Sequence, residues 1–151
     1  MRMTVLQHVE FEGPAAVVDW AAGREFPFRV FHLYRDTALP SLSDFDMLTV
    51  TGGPMSANDE ARLGWLGPGI ALVREAIARS KITKAQAFAI GQRVLGLQFH
   101  LEATVESVRA LLKSAAHEVG PGVFEQQPAT ILASLSQCAS LRPLLDIVLT
   151  G

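Results

Sequence analysis

The sequence predicts an α/β protein with an open, mostly parallel sheet of the flavodoxin-like kind, helices on both faces, and an antiparallel hairpin near one edge. Extended apolar segments alternate with segments of helical periodicity, which is the pattern of doubly wound sheets. Residues 46–51 form a near-continuous apolar run, as expected of a parallel strand buried on both faces. Gly91 and Gln92 separate two further extended segments, which is typical of a tight hairpin.

Hydrophobic periodicity and turn residues define the predicted elements. We expect strands at residues 3–8, 28–33, 46–51, 86–90 and 93–99. The first helix should begin near Pro14 and end at Gly23, because proline suits a first helical turn and glycine a helix C-terminus. Later helices are expected at residues 68–79, at 105–118 behind the cap residue Thr104, and from 128 onward with a break at Pro143.

Composition excludes several classes of function. The chain has 151 residues, of which 49% are apolar and 19% charged, so we expect one globular domain over residues 1–151. The net charge is -2 and no long lysine or arginine run occurs, which argues against a nucleic-acid partner. No uninterrupted apolar stretch reaches membrane-spanning length, and the first apolar run resembles a strand more than a signal peptide. A cytoplasmic protein without membrane association is therefore expected.

His100 and Glu102 are the first candidate site residues. Side chains alternate along a strand, so the two would share one face of an extended segment at residues 96–102. An imidazole with a carboxylate two residues away can act as a general base with its orienting group. The plainer interpretation is a histidine at a strand end beside a glutamate that is solvated or caps a helix.

The turn Gly52-Gly53 follows the third predicted strand and is the second candidate. Glycines at this point let a ligand approach the backbone, and two exposed amides could stabilise an oxyanion. The alternative is an ordinary connection from strand to helix. The turn is not a phosphate-binding loop, because the required Gly-Lys-Ser/Thr does not follow it.

Metals and other nucleophiles have weaker support. The histidines are scattered without HExxH spacing, so we expect no metal and no other cofactor. Ser56 follows the glycine turn, but nothing nearby in the sequence activates its hydroxyl. Cys138 is the only cysteine, so an internal disulfide is excluded. Its place on the apolar side of a predicted helix indicates a buried structural residue.

Three groups of residues together resemble the class I glutamine amidotransferase-like family, especially its stand-alone bacterial type 1 members. The groups are Leu-Gln-His with Phe-Glu-Gly-Pro in residues 6–14, Gly-Gly-Pro-Met-Ser with Asn-Asp-Glu in 52–60, and Gln-Ala-Phe leading to Gly-Leu-Gln-Phe-His-Leu-Glu in 86–102. The resemblance covers residues 1–79 and 86–118. Family members hydrolyse the side-chain amide of glutamine and transfer the ammonia. The resemblance implies that His100 is the family's histidine, that Glu102 orients it, and that Gly53 with Gly52 forms the first oxyanion position.

The family's nucleophile is missing. In the family, a strand and a Gly-x-Cys-x-Gly elbow follow the helix that corresponds to residues 68–79, whereas here the chain passes directly to the segment at 86–88. Relative to the family, a middle section is absent near residues 80–86, and residues 123–151 form a C-terminal helical extension. The absent section would carry the nucleophile, the second oxyanion donor, most glutamine contacts and a central strand. The resemblance thus implies descent from glutaminases without their activity, and glutamine binding only if the pocket survives.

Further expectations follow from the missing strand. The predicted hairpin could dock beside the third strand in its place. The narrower sheet would leave marginal stability or an exposed apolar patch that promotes self-association. Other functions stay open: a non-catalytic binding or regulatory module, an incomplete form of an active glutaminase, or a distinct hydrolase that uses Ser56 or Cys138.

Overall fold

The computed structural model of the protein describes residues 1–36, 38–78, 87–90, 94–97, 100–115 and 127–150. A three-stranded parallel sheet has the order β2-β1-β3, with β1 at Met3–Gln7, β2 at Phe28–His32 and β3 at Met47–Val50. Strands β4 (Ala87–Ile90) and β5 (Val94–Leu97) pair antiparallel in a sheet of their own. The helices are α1 Ala15–Ala22, α2 Leu66–Ala78, α3 Val105–Ala115, α4 Pro128–Ala133 and α5 Arg142–Thr150, with 3-10 helices at Asp59–Ala61 and Leu135–Leu141.

The central strand β1 buries side chains on both faces of the sheet. Val5 points to one face, where it shares a core cluster with Trp20 of α1 and Leu145 of α5. Leu6 points to the other face and shares a second cluster with Leu72 of α2. Because neighbouring side chains of a strand alternate, helices cover both faces. The predicted α/β fold with a parallel sheet is confirmed, and so is its placement of helices.

The third strand was predicted to be buried on both faces, and this prediction is wrong. Among the described residues, β3 pairs only with β1 and lies at an edge of the three-stranded sheet. Most of β3 is half-buried, and Val50 is 42% exposed, because an edge strand has neighbours on one side only. The antiparallel hairpin of β4 and β5 is confirmed, although its turn at residues 91–93 lies outside the described residues. Its described strands do not join β3, so the expectation that they replace a central strand is wrong.

Helix α1 ends at Gly23 as predicted, and the chain then reverses in a Schellman motif whose left-handed residue is Glu25. The N–H of Phe26 donates to the carbonyl of Ala21 and that of Glu25 to Ala22, each at 3.0 Å, which is the hydrogen-bond pattern of this motif. Glu25 has a φ of 55°, whereas Gly23 keeps a helical φ of -64°. The chain therefore reverses two residues after the glycine, and the left-handed position carries a side chain.

Helix α3 begins with the predicted cap. The Thr104 hydroxyl accepts the N–H of Ser107 at 3.1 Å, and the Ser107 hydroxyl accepts the N–H of Thr104 at 2.9 Å. This reciprocal arrangement satisfies two N–H groups that would otherwise lack partners. The predicted end of this helix at residue 118 lies outside the described residues. No helix in the described part of the chain is both long and apolar enough to cross a membrane.

The C-terminal helix α5 packs against α1. Leu145 is 4% exposed and belongs to the core cluster that α1 and β1 share. The Asp146 carboxylate accepts a hydrogen bond from the Trp20 indole at 3.1 Å, and Arg142 pairs with Asp19 at 2.8 Å. Because exposed ion pairs contribute little, the buried leucine is the main anchor of α5.

Candidate functional site

The side chains of His100 and Glu102 form a hydrogen-bonded pair. His100 Nδ1 lies 2.7 Å from Glu102 Oε1, and the histidine side chain is 59% exposed. The hydrogen bond to Glu102 raises the pKa of His100 against a smaller opposing effect of burial. Burial acts to raise the pKa of Glu102, but the hydrogen bond from His100 and a backbone hydrogen bond together lower it. Each partner thus favours the charged form of the other.

The two side chains meet through a turn and not along one strand as predicted. Strand β5 ends at Leu97, residues 98–99 lie outside the described residues, and Leu101 and Glu102 form a turn. Leu101 is 7% exposed and packs into the core cluster beside α1. The backbone N–H of Ala16 donates to the carbonyl of Glu102 at 3.2 Å. An apolar anchor and a backbone hydrogen bond therefore hold the segment against α1.

Gly52 borders the same site from the end of β3. A side-chain carbon at Gly52 would lie 2.9 Å from Glu12 Oε2 and 3.9 Å from His100 Cε1, so glycine leaves room for the carboxylate. A side-chain carbon at Gly53 would instead lie 2.5 Å from the sulfur of Met55. Of the two glycines predicted to bind an oxyanion, Gly52 is the one that faces His100.

A cavity joins these groups at the carboxyl ends of β1 and β3. Its volume is about 90 Å³, and its walls come from the loop after β1, the turn after β3, the His100–Glu102 segment and α3. The polar residues of the described walls are Glu12, Thr51, His100, Glu102 and Ser107. A larger, open groove of about 480 Å³ lies between residues 40–43 and α2, and none of the predicted site residues lines it. The smaller cavity is therefore the candidate site.

Gln7 supports a loop of the cavity wall, a role that the sequence analysis did not assign to it. It is 5% exposed at the end of β1, and its side-chain amide donates to the carbonyls of Val9 at 2.8 Å and Glu10 at 3.2 Å. These bonds fix the loop that carries Glu12 into the cavity. The sequence did contain a signal for this role, since Gln7 is a polar residue at the end of a buried strand. A buried amide needs hydrogen-bond partners, and the following loop is the nearest source of them.

His8 joins the ends of two strands. Its Nδ1 lies 2.7 Å from the carbonyl oxygen of Thr51, and its ring centroid lies 5.6 Å from that of Trp65. A carbonyl oxygen only accepts hydrogen bonds, so Nδ1 carries the proton. His8 therefore positions the turn before Gly52 and is not a member of the His100 pair.

The other candidate nucleophiles lie elsewhere. Cys138 sits in the 3-10 helix Leu135–Leu141 and is half-buried, so the prediction of a fully buried cysteine is wrong. It lies three residues after the buried Leu135 and so on the same face of this 3-10 helix, but its side chain is only partly covered. Ser56 is exposed, and its hydroxyl accepts the N–H of Asn58 at 3.2 Å. Neither is among the described residues that line the cavity, and in the described parts of the chain no His, Cys, Asp and Glu side chains form a group of three fit for a metal.

Comparison with known proteins identifies the fold. The sequence matches no protein-family model, and the search of curated proteins found no match. A glutamine amidotransferase of Thermotoga maritima has a similar structure, with a TM-score of 0.83, 15% identity, and coverage of 99% of this chain and 96% of that chain. A glutamine amidotransferase of Methylobacillus flagellatus matches with a TM-score of 0.83 at 21% identity, over 97% of this chain and 92% of that chain. The chain therefore has the fold of these two proteins.

Proposed function

We propose that the chain is a class I glutamine amidotransferase-like protein by descent that has no glutaminase activity. The observation that carries the proposal is the meeting of His100, Glu102 and Gly52 at one cavity. These residues come from two of the motifs that resemble the family, and those motifs lie far apart in the sequence. The fold shared with two glutamine amidotransferases supports the same descent.

The retained groups could perform only part of the family's reaction. Because Nδ1 of His100 is hydrogen-bonded to Glu102, Nε2 is the nitrogen left to transfer a proton. The family reaction also needs a cysteine thiolate that attacks the amide carbon of glutamine, so that ammonia can leave. The only cysteine, Cys138, lies in the C-terminal 3-10 helix and not in a glycine-rich elbow. A base without its nucleophile leaves only residual catalysis.

The size of the cavity supports the same proposal. Its volume of about 90 Å³ is well below the roughly 300 Å³ at which small-molecule sites usually begin. A cavity of this volume is small for a glutamine molecule, which supports the absence of glutaminase activity. The acceptor-binding and glutamine-binding functions of the family are accordingly not part of the proposal.

An ammonia-release assay on the purified chain tests the proposal. We expect release from glutamine equal to that of the His100→Ala variant, and no label on Cys138 after treatment with an electrophilic glutamine analogue. The His32→Ala variant, which changes a histidine away from the cavity, is the matched control. Ammonia release that His100→Ala abolishes and His32→Ala leaves intact would overturn the proposal.

The gene offers an independent test of the missing section. We expect the gene to run through the codons for residues 80–85 in one reading frame, with no additional coding segment between the two flanks. A continuation at this point that encodes a Gly-x-Cys-x-Gly elbow would instead identify the chain as an incomplete form of an active glutaminase.

A further inference from the structure

The carboxylate of Glu12 lies directly over the backbone of Gly52. Its Oε2 is 2.9 Å from the position that a side-chain carbon at Gly52 would take. In the proposed descent, this is the glycine that a substrate oxygen would approach. The group that occupies this approach is the chain's own carboxylate.

The structure fixes the backbone of the loop that carries Glu12. The residue is half-buried, and the loop that carries it is fixed by the two hydrogen bonds from the Gln7 amide to the carbonyls of Val9 and Glu10. The next residue, Gly13, lies against the same amide, since a side-chain carbon there would be 3.8 Å from Gln7 Nε2. Glu12 therefore lies in a loop whose backbone is fixed by hydrogen bonds.

The charges around the cavity reinforce this arrangement. Two carboxylates, Glu12 and Glu102, face the imidazole of His100, and the charge of Glu12 acts on the histidine across the cavity. Even with His100 protonated, two negative charges face one positive charge. A further anion in this small space would meet like charge at short range, which is unfavourable.

We propose that Glu12 is a specificity-determining residue that closes the Gly52–His100 cavity to anionic ligands by placing its own carboxylate where an anion would bind. This inference rests on the proposed function, because it assigns Gly52 and His100 to one site. Loss of the Glu12 carboxylate opens the space over Gly52 and leaves His100 as a cation without its second carboxylate. The cavity should then accept a small carboxylate.

Acetate is a probe that matches the size of the cavity. The full-length chain is titrated with sodium acetate against sodium chloride of equal ionic strength, near pH 6, and the imidazole signals of His100 are followed by NMR. We expect saturable shifts in Glu12→Ala, with an affinity at least about tenfold above that of the unmodified chain, and a smaller gain in Glu12→Gln, whose amide removes the charge but fills the same space. Glu10→Gln is the control, because it removes an equal charge from an exposed position of the same loop.

The outcomes separate this inference from the proposed function. Equal acetate binding by the unmodified chain and both Glu12 variants would overturn it, and so would the absence of saturable shifts in both variants. An equal gain in Glu10→Gln would also overturn it, since the effect would then reflect overall charge. Glu12→Gln keeps the shape of the side chain, so it tests the effect of the charge even if Glu12→Ala fails to fold. Ammonia release is measured separately, and its result changes only the proposed function.

Discussion

The backbone N–H of Ala16 donates a hydrogen bond to the backbone carbonyl of Glu102 at 3.2 Å, which joins the first turn of α1 to the segment that carries His100. Leu101 lies between the two site residues and shares the core cluster with Leu145 of α5. The His100–Glu102 pair therefore depends on elements from both ends of the chain.

Replacing Leu145 by alanine should destabilise the protein and loosen the site. Leu145 is 4% exposed, whereas its neighbour Leu144 is 51% exposed on the same helix. We expect Leu145→Ala to lower the free energy of unfolding by about 2–4 kcal/mol, because it leaves a cavity in the core. Leu144→Ala should change it by less than about 0.5 kcal/mol. Urea unfolding measures both, and equal effects of the two variants would contradict the role of α5 as an anchored helix.

The His100–Glu102 pair should make stability depend on pH. The raised pKa of His100 contributes stability that is complete below its ordinary value of 6.5 and is lost as pH rises through the folded-state value. The lowered pKa of Glu102 contributes stability that is complete above its ordinary value of 4.5 and is lost as pH falls through the folded-state value. The contribution of the pair is therefore greatest between pH 4.5 and 6.5.

The variant Glu102→Gln checks this dependence. We expect NMR titration to show a lower pKa for His100 in the variant, and unfolding experiments to show the largest loss of stability near pH 5.5, between the two ordinary values. Glu10→Gln is the control. A loss that increases steadily toward pH 8 would show that the pair does not act through the predicted charges.

The Schellman motif of α1 predicts opposite results from two nearby substitutions. Glu25→Gly should stabilise the protein by about 0.5–1 kcal/mol, because glycine adopts the left-handed conformation without a steric cost. Gly23→Ala should be neutral or slightly stabilising, since Gly23 is helical and an added carbon would lie 3.4 Å from the carbonyl oxygen of Asp19. Thermal unfolding compares the two variants. A clear loss of stability in Gly23→Ala would contradict the helical conformation of Gly23.

Arg2 and Asp46 should show a strongly shifted carboxyl titration. The Arg2 guanidinium and backbone N–H both donate to the Asp46 carboxylate, at 2.9 Å and 2.8 Å. The hydrogen bonds from Arg2 lower the pKa of Asp46 from 3.8 to about 2. The stability that this carboxyl contributes is complete above pH 3.8 and is lost as pH falls toward 2. Carboxyl NMR should show the pKa rising in Arg2→Ala and unchanged in Arg62→Ala, whose guanidinium pairs with Asp59 instead.

The sequence by itself determined the features that depend on neighbours along the chain. A short apolar run predicted β1, residue types at the helix start predicted the Thr104 cap, and the glycine between two extended segments predicted the β4–β5 hairpin. The absence of a Gly-x-Cys-x-Gly sequence is also read directly from the chain, which has one cysteine outside any glycine-rich turn. Such signals are reliable because each depends on a few consecutive residues.

Only the tertiary structure decided the features that depend on packing between distant segments. It placed β3 at an edge of the described three-stranded sheet, gave the left-handed position after α1 to Glu25, and brought His100 and Glu102 together through a turn. It also directed Glu12 over Gly52, because the buried amide of Gln7 found its partners in the loop after β1. These outcomes follow from which groups satisfy one another in three dimensions, and periodicity along a single segment carries no information about them.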